Sequence, residues 1–243
     1  AVNHAFTGLS PFWLKLTNLV WHLFNGLLIW LLCRRICACV PELERPAPWL
    51  ALFVALFWLL HPLQVSTVLY AVQRMEIAAA SGIVLALLAY VSARTRQQQG
   101  RTAWPWLLLS GLMMLLGLGF KETALLTPLF ALLLELCLFR FRTAGGGVSR
   151  PWLVAWAGVL LLGAIAYLAL IVPQLQHWPH ATRDWGPGER LLTQLPVLAM
   201  YLTQMLLPLP DGFLFYYDNY PVSRGLDART LLAGVCLLGL LMI

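Results

Sequence analysis

Charge is scarce in this chain. Only 11% of its 243 residues are charged, 60% are hydrophobic and mean hydropathy is +0.78. A soluble domain carries about 25% charged residues, so a water-soluble reading is excluded and most apolar surface is expected to face lipid. Cysteine is also sparse, with five residues. Cys33, Cys37 and Cys39 cluster after the first apolar run, and Cys137 and Cys236 lie within apolar runs. No second ligand pair stands at zinc spacing and no disulfide framework is evident, so free thiols are expected. His61 has no second histidine at i+4 to make a metal pair. Gly145-Gly146-Gly147 is not followed by Lys-Ser/Thr, which excludes a phosphate loop and leaves a flexible linker. No tandem repeat is visible. The formal net charge of +6 sits in short loops between apolar runs, where membrane orientation explains it and nucleic-acid binding is not needed. Ala1 stands where Met would open a chain, no signal-peptide pattern follows, and Leu241-Met242-Ile243 ends inside an apolar run. The chain is therefore expected to be a fragment truncated at both ends.

Long apolar stretches fill the remainder. Spans are predicted at about Leu16–Leu32, Pro48–Leu60, Ile77–Val91, Trp104–Phe120, Thr123–Phe139 and Trp152–Val172, with a seventh cut off after it begins near Thr230. His61-Pro62 breaks the second. Lys121-Glu122 forms the whole turn between the fourth and fifth. The expected fold is all-α: a polytopic transmembrane helix bundle of about seven membrane helices in a single domain over 1–243. One further apolar helix, 189–207, lies in the polar and aromatic segment 173–229; it is long enough to span, but is read as interfacial or re-entrant because spanning would put 211–229 in the cytoplasm.

The charges between spans fall into two classes. Arg34, Arg35 and Arg45, then Arg94, Arg96 and Arg101, then Arg140, Arg142 and Arg150, occupy alternate loops. The positive-inside rule makes that side cytoplasmic, and these arginines read as topological and bland. The opposite side receives three clusters of mixed chemistry: His61-Pro62-Leu63-Gln64, Gln73-Arg74-Met75-Glu76 and Phe120-Lys121-Glu122-Thr123.

A charge at membrane depth costs a few kcal/mol, so it faces a cavity or a partner. Lys121 and Glu122 read either as a boundary-marking turn or as a lysine reaching into an anionic pocket, oriented by its neighbouring carboxylate. Glu76 suits a helix N-terminus. Arg74 opposes the same dipole, which points to a bound phosphate or a carboxylate partner. Lys15, Asn18, His22 and Asn25 recur at helical spacing on one stripe and read as interhelical hydrogen-bonding groups or as a cavity lining. The aromatics and carboxylates of 173–229, Asp218 among them, suit either an interfacial girdle or carbohydrate contacts.

Several stretches in order resemble one family. Pro11-Phe12-Trp13-Leu14-Lys15-Leu16-Thr17-Asn18 through His22 and Asn25 is similar to the P-F-x-x-H-x-x-N-x-x-x-H-x-x-N stretch of multi-spanning GT-C type glycosyltransferases. The nearest group is the transmembrane O-mannosyltransferases that carry tetratricopeptide repeats, with their bacterial relatives. His61-Pro62-Leu63-Gln64-Val65, Val68, Tyr70 and Gln73-Arg74 resemble its H-P-x-x-V…V-x-Y…R segment. Phe120-Lys121-Glu122-Thr123-Ala124 resembles its S-K-E-x-A turn, and Arg190-Leu191-Leu192-Thr193-Gln194 with Tyr201 and Pro208 resembles its outer helix. Lys15 replaces a frequent His, and Phe120 a frequent Ser.

The resemblance implies transfer of a sugar from a polyprenyl-phosphate-linked donor to a protein or glycan acceptor on the extracytoplasmic face. The membrane would be a bacterial inner membrane, the face periplasmic, or an endoplasmic-reticulum membrane in a eukaryote. Arg74, Lys121, His61 and Glu122 would hold the lipid phosphate. Gln64, Gln73, Arg190, Tyr201 and Asp218 would contact sugar or acceptor. The catalytic carboxylate would precede Ala1. No metal site or cofactor is assigned, and a divalent cation is left open. Two other readings stand beside it: a transporter or flippase for an anionic lipid or solute, and a non-catalytic membrane scaffold.

Overall fold

The computed structural model describes residues 10–170, 173, 186–208 and 220–241. Their regular structure is helical, with one isolated antiparallel bridge between Arg142 and Val148. The chain divides into two compact units, Ala1–Val159 and Leu160–Ile243. The first holds α1 (Pro11–Cys37), α2 (Ala47–Leu60), the short α3 (Gln64–Leu69), α4 (Arg74–Gln98), α5 (Trp104–Leu118) and α6 (Thr127–Leu134). A 3-10 turn at Glu122–Leu126 precedes α6, and a π-helical turn at Glu135–Phe139 follows it. Helix α7 (Arg150–Leu170) runs across the boundary between the units. The second unit contributes α8 (Pro187–Leu206) and α9 (Ala228–Leu241).

The helix boundaries follow from local chemistry. Proline occupies the first turn of α1, α2, α5 and α6, where a missing N–H costs nothing. Pro62 holds His61 in an extended conformation at ψ 130° and stops α2. Gly100 adopts φ +68° just past α4, the left-handed stop that glycine tolerates best. Helices α1 and α4 run beyond their expected spans at both ends, to 27 and 25 residues.

Four segments are long and apolar enough to cross a membrane: Pro11–Cys37, Arg74–Gln98, Glu122–Phe139 and Arg150–Ala169. They mark an integral membrane protein. Three further apolar helices, Ala47–Leu60, Trp104–Leu118 and Ala228–Leu240, are shorter. Fifteen helical residues rise about 22 Å, less than the ~30 Å hydrocarbon core. The segment Glu122–Phe139, expected as one even helix, is instead built of 3-10, α and π turns.

Packing in the first unit is inverted relative to a soluble protein. Its interior is rich in alanine (Ala51, Ala55, Ala78, Ala79, Ala86, Ala89, Ala93, Ala124), while Trp49, Leu60 and Leu108 are exposed. Small side chains let helix backbones approach where lipid gives no hydrophobic drive between helices. The extreme case is α4 on α5, where a Cβ added at Gly82 would lie 2.6 Å from the Gly117 Cα. Helix α2 runs back along α1: His22 meets the Leu59 carbonyl and Trp30 meets that of Pro48. Helix α4 runs parallel to α1, with Asn25 paired to Ile77 and Cys39 set against Thr95. Helix α5 is antiparallel to α4, and Ser110 donates to the Ala86 carbonyl.

Candidate functional site

The stripe on α1 organises one end of the first unit. Asn18, His22 and Asn25 are buried, whereas Lys15 is exposed. Asn18 Nδ2 donates to the carbonyls of Val68 and Tyr70, both at 3.1 Å. These lie at the end of α3, whose terminal carbonyls have no intrahelical partner. His22 Nε2 lies 3.1 Å from the Leu59 carbonyl at the end of α2, and its ring packs on Trp58. Asn25 Nδ2 donates to the Ile77 carbonyl at 2.8 Å and its Oδ1 accepts from Ser81 Oγ at 2.5 Å. Interhelical hydrogen bonding thus accounts for these three residues.

Arg74 opens α4 and is half-buried. Its Nε donates to Asn18 Oδ1 at 3.0 Å and its Nη2 to the Leu14 carbonyl at 3.2 Å. Neither partner is a carboxylate. Lys121 is ion-paired to Glu76, in the first turn of α4. The other Glu76 oxygen accepts from Thr123 Oγ1 at 3.2 Å. This hydrogen-bonded pairing with Glu76 raises the Lys121 pKa, with smaller support from Glu122.

Glu76, not Glu122, is therefore the carboxylate that holds Lys121. Lys121 is fully extended (φ −156°, ψ 148°), so its side chain and that of Glu122 diverge, and Glu122 is exposed. Arg74 and Lys121, drawn from separate helix connections, are both anchored on the first turn of α4.

His61 is buried after α2, its Nδ1 accepting from the Leu63 N–H at 3.3 Å and its ring edge-on to Phe57. Gln64 opens α3 and Gln73 immediately precedes α4, both half-buried. Arg190 and Tyr201 lie on α8, in the second unit, and are exposed. Glu189 caps α8 by accepting from the Gly186 N–H at 2.8 Å. Asp218 lies outside the described residues. Among the described residues no group of three or more His, Cys, Asp or Glu stands close enough to hold a metal ion.

The opposite end of the first unit corrects the reading of one arginine. Arg94 is not a loop cation: it is fully buried in α4 and ion-paired to Glu135, which is also fully buried. Its Nε donates to one Glu135 oxygen and its Nη2 to the other, the latter at 3.2 Å. Its Nη1 reaches Gln97 Oε1, and Nη2 also reaches the Arg142 carbonyl at 3.1 Å. The rings of Phe139 and Trp152 flank the guanidinium, at 5.4 and 5.1 Å from its carbon. Tyr90 donates to Glu135 at 2.5 Å, and the Phe141 N–H at 3.3 Å. A lone carboxylate within Leu132-Leu133-Leu134-Glu135-Leu136 is the sequence signal for this cluster, because a charge in such a run requires a partner. Comparison with protein-family models, curated proteins and solved structures finds no match to this chain.

Proposed function

We propose that the chain is the membrane portion of a GT-C type glycosyltransferase. It transfers a sugar from a polyprenyl-phosphate donor to a protein or glycan acceptor at the Arg74 end, on the extracytoplasmic side. The observation that carries this reading is the anchoring of two cations on one helix turn, Arg74 directly and Lys121 through Glu76. Positive groups held in place before reaction stabilise charge that develops on a leaving phosphate without having to reorganise. Arg74 presents planar paired donors suited to a phosphate, and Lys121, held by Glu76 through one N–H, offers its remaining donors to the donor headgroup. The largely apolar face along the first turns of α1, formed by Trp13, Leu16, Thr17, Val20, Trp21 and Phe24, gives an isoprenoid tail a surface to lie on. In this reading α2 and α5 also cross. Parallel α1 and α4 require the chain to return between them, which brings the count towards seven.

The test is transfer activity of the full-length protein in membranes. Arg74→Ala and Lys121→Ala are each expected to lower transfer about 100-fold or more, the scale of one lost charge-stabilising group, with insertion unchanged. A second reading rests on the same contacts: Lys121–Glu76 and Arg74–Asn18 as staples joining helix ends, in a scaffold without chemistry. Under it Glu76→Gln would matter as much as Lys121→Ala, and both would act through stability alone. Activity within twofold of wild type in both cation variants would remove the phosphate role.

A further inference from the structure

We propose that the cleft between α1, α4 and α5, at the end opposite Arg74, binds an anionic phospholipid of the adjoining leaflet. The cleft measures ≈ 320 Å³. Helices α1 and α4 run parallel and α5 antiparallel to them, so Arg35, Ser92 and Trp106 all come to its mouth. Leu88, Leu109 and Met113 line it further in. From Trp106 to Met113 is seven helical residues, about 10 Å of depth. Beyond Met113 the cleft is shut where Gly82 meets Gly117 and the Met113 carbonyl.

The lining therefore grades from one cation to hydrocarbon. Ser92 Oγ is committed as a donor to the Leu88 carbonyl at 2.8 Å. Charge selectivity thus falls to Arg35, which is exposed. A soluble anion finds a single cation over an apolar floor, with nothing to replace its hydration. A phospholipid satisfies both halves: phosphate at Arg35, the indole of Trp106 at headgroup depth, and an acyl chain along the leucines. Arg34, the adjacent residue, is set over the Trp30 ring at 5.5 Å and belongs to another face. This site is independent of the glycosyltransferase reading and rests only on the helices lying in a bilayer.

Native mass spectrometry of the full-length protein in detergent tests it, with phosphatidylglycerol, phosphatidylcholine and glycerol 3-phosphate as probes. Phosphatidylglycerol is expected to be retained about fivefold better than phosphatidylcholine, the scale of one basic residue at a lipid surface. Arg35→Ala is expected to erase that preference, Arg34→Ala to leave it, and Leu88→Trp to fill the cleft and remove lipid retention. Circular dichroism and gel filtration verify that each variant is folded. Equal retention of the two lipids, an Arg34→Ala effect as large as that of Arg35→Ala, or glycerol 3-phosphate binding as tightly as phosphatidylglycerol would each overturn the proposal.

Discussion

Arg94 and Glu135 set the strongest residue-scale constraint. Each is fully buried, and the Nε and both terminal nitrogens of the guanidinium are engaged. Two buried charges gain little net stability as a pair, because desolvation offsets their attraction. Removing one partner strands the other and costs about 3–5 kcal/mol. Arg94→Ala and Glu135→Ala are therefore each expected to collapse thermal stability in detergent. The double replacement Arg94→Met with Glu135→Leu is expected to recover most of it, and a double variant no better than the singles would count against this account. The sequence reading places Arg94 in a loop and assigns Glu135 no role. Arg94 stands three residues before Gln97, in a polar stretch that looks like a loop, and its partner is 41 positions away. Asn18, His22 and Asn25 were legible, because steps of four and three place them on one face whatever the fold. Their partners are not, since the carbonyls of Leu59, Val68, Tyr70 and Ile77 leave no mark in the sequence and Ser81 lies 56 positions from Asn25.

Between elements, close approach outweighs intrinsic helix preference. Replacing a helical glycine by alanine normally gains about 1 kcal/mol. At Gly82 the added Cβ would meet backbone: Gly117 Cα at 2.6 Å, Gly117 N at 2.8 Å and the Met113 carbonyl at 2.9 Å. No rotamer relieves a backbone clash, so α4 and α5 must separate and the alanine-lined core between them opens. Gly82→Ala is expected to destabilise by about 1–3 kcal/mol, as overpacking does. Gly111→Ala, with nothing within 4 Å, is expected to be neutral or slightly stabilising. Melting temperatures of the two variants, measured side by side, decide the point. The apolar runs announce the helices themselves, and His61-Pro62 announces the end of one of them, whereas α4 continues seven residues past the expected Val91 to Gln98. The breakage of Glu122–Phe139 into three kinds of turn was not visible. It is bound up with Glu135, whose carboxylate accepts from the Phe141 N–H while Arg140 and Phe141 take left-handed φ of 50° and 55°. Only a tertiary partner such as Arg94 holds that carboxylate in place, and a local pattern does not encode it.

For the whole molecule, the governing question is which ends share a side of the bilayer. Helices α1 and α4 run parallel, so the chain must return between them. Helix α2 runs back along α1 yet has only 14 residues. A short returning helix is accommodated by locally thinned bilayer or by tilt of its neighbours, at modest cost. With Arg94 withdrawn, its charge cancelled by Glu135, the loops at the Arg35 end still hold Arg34, Arg35, Arg45, Arg96, Arg101, Arg140, Arg142 and Arg150, and the positive-inside rule keeps the expectation that this end is cytoplasmic. Single cysteines placed in a variant lacking the native five resolve the matter. Glu122→Cys, beside the Lys121–Glu76 pair, and Gly146→Cys, in the linker between the π turn and α7, are expected to react from opposite sides with a membrane-impermeant maleimide. Gln99→Cys is expected to share the side of Gly146→Cys. Labelling of Glu122→Cys and Gln99→Cys from the same side would mean that α5 does not cross. Lys121 and Trp106, at opposite ends of α5, would then share a leaflet, and the proposed donor site, which needs Lys121 at the Arg74 end, and the proposed phospholipid cleft, which needs Trp106 at the Arg35 end, would lose their geometry together.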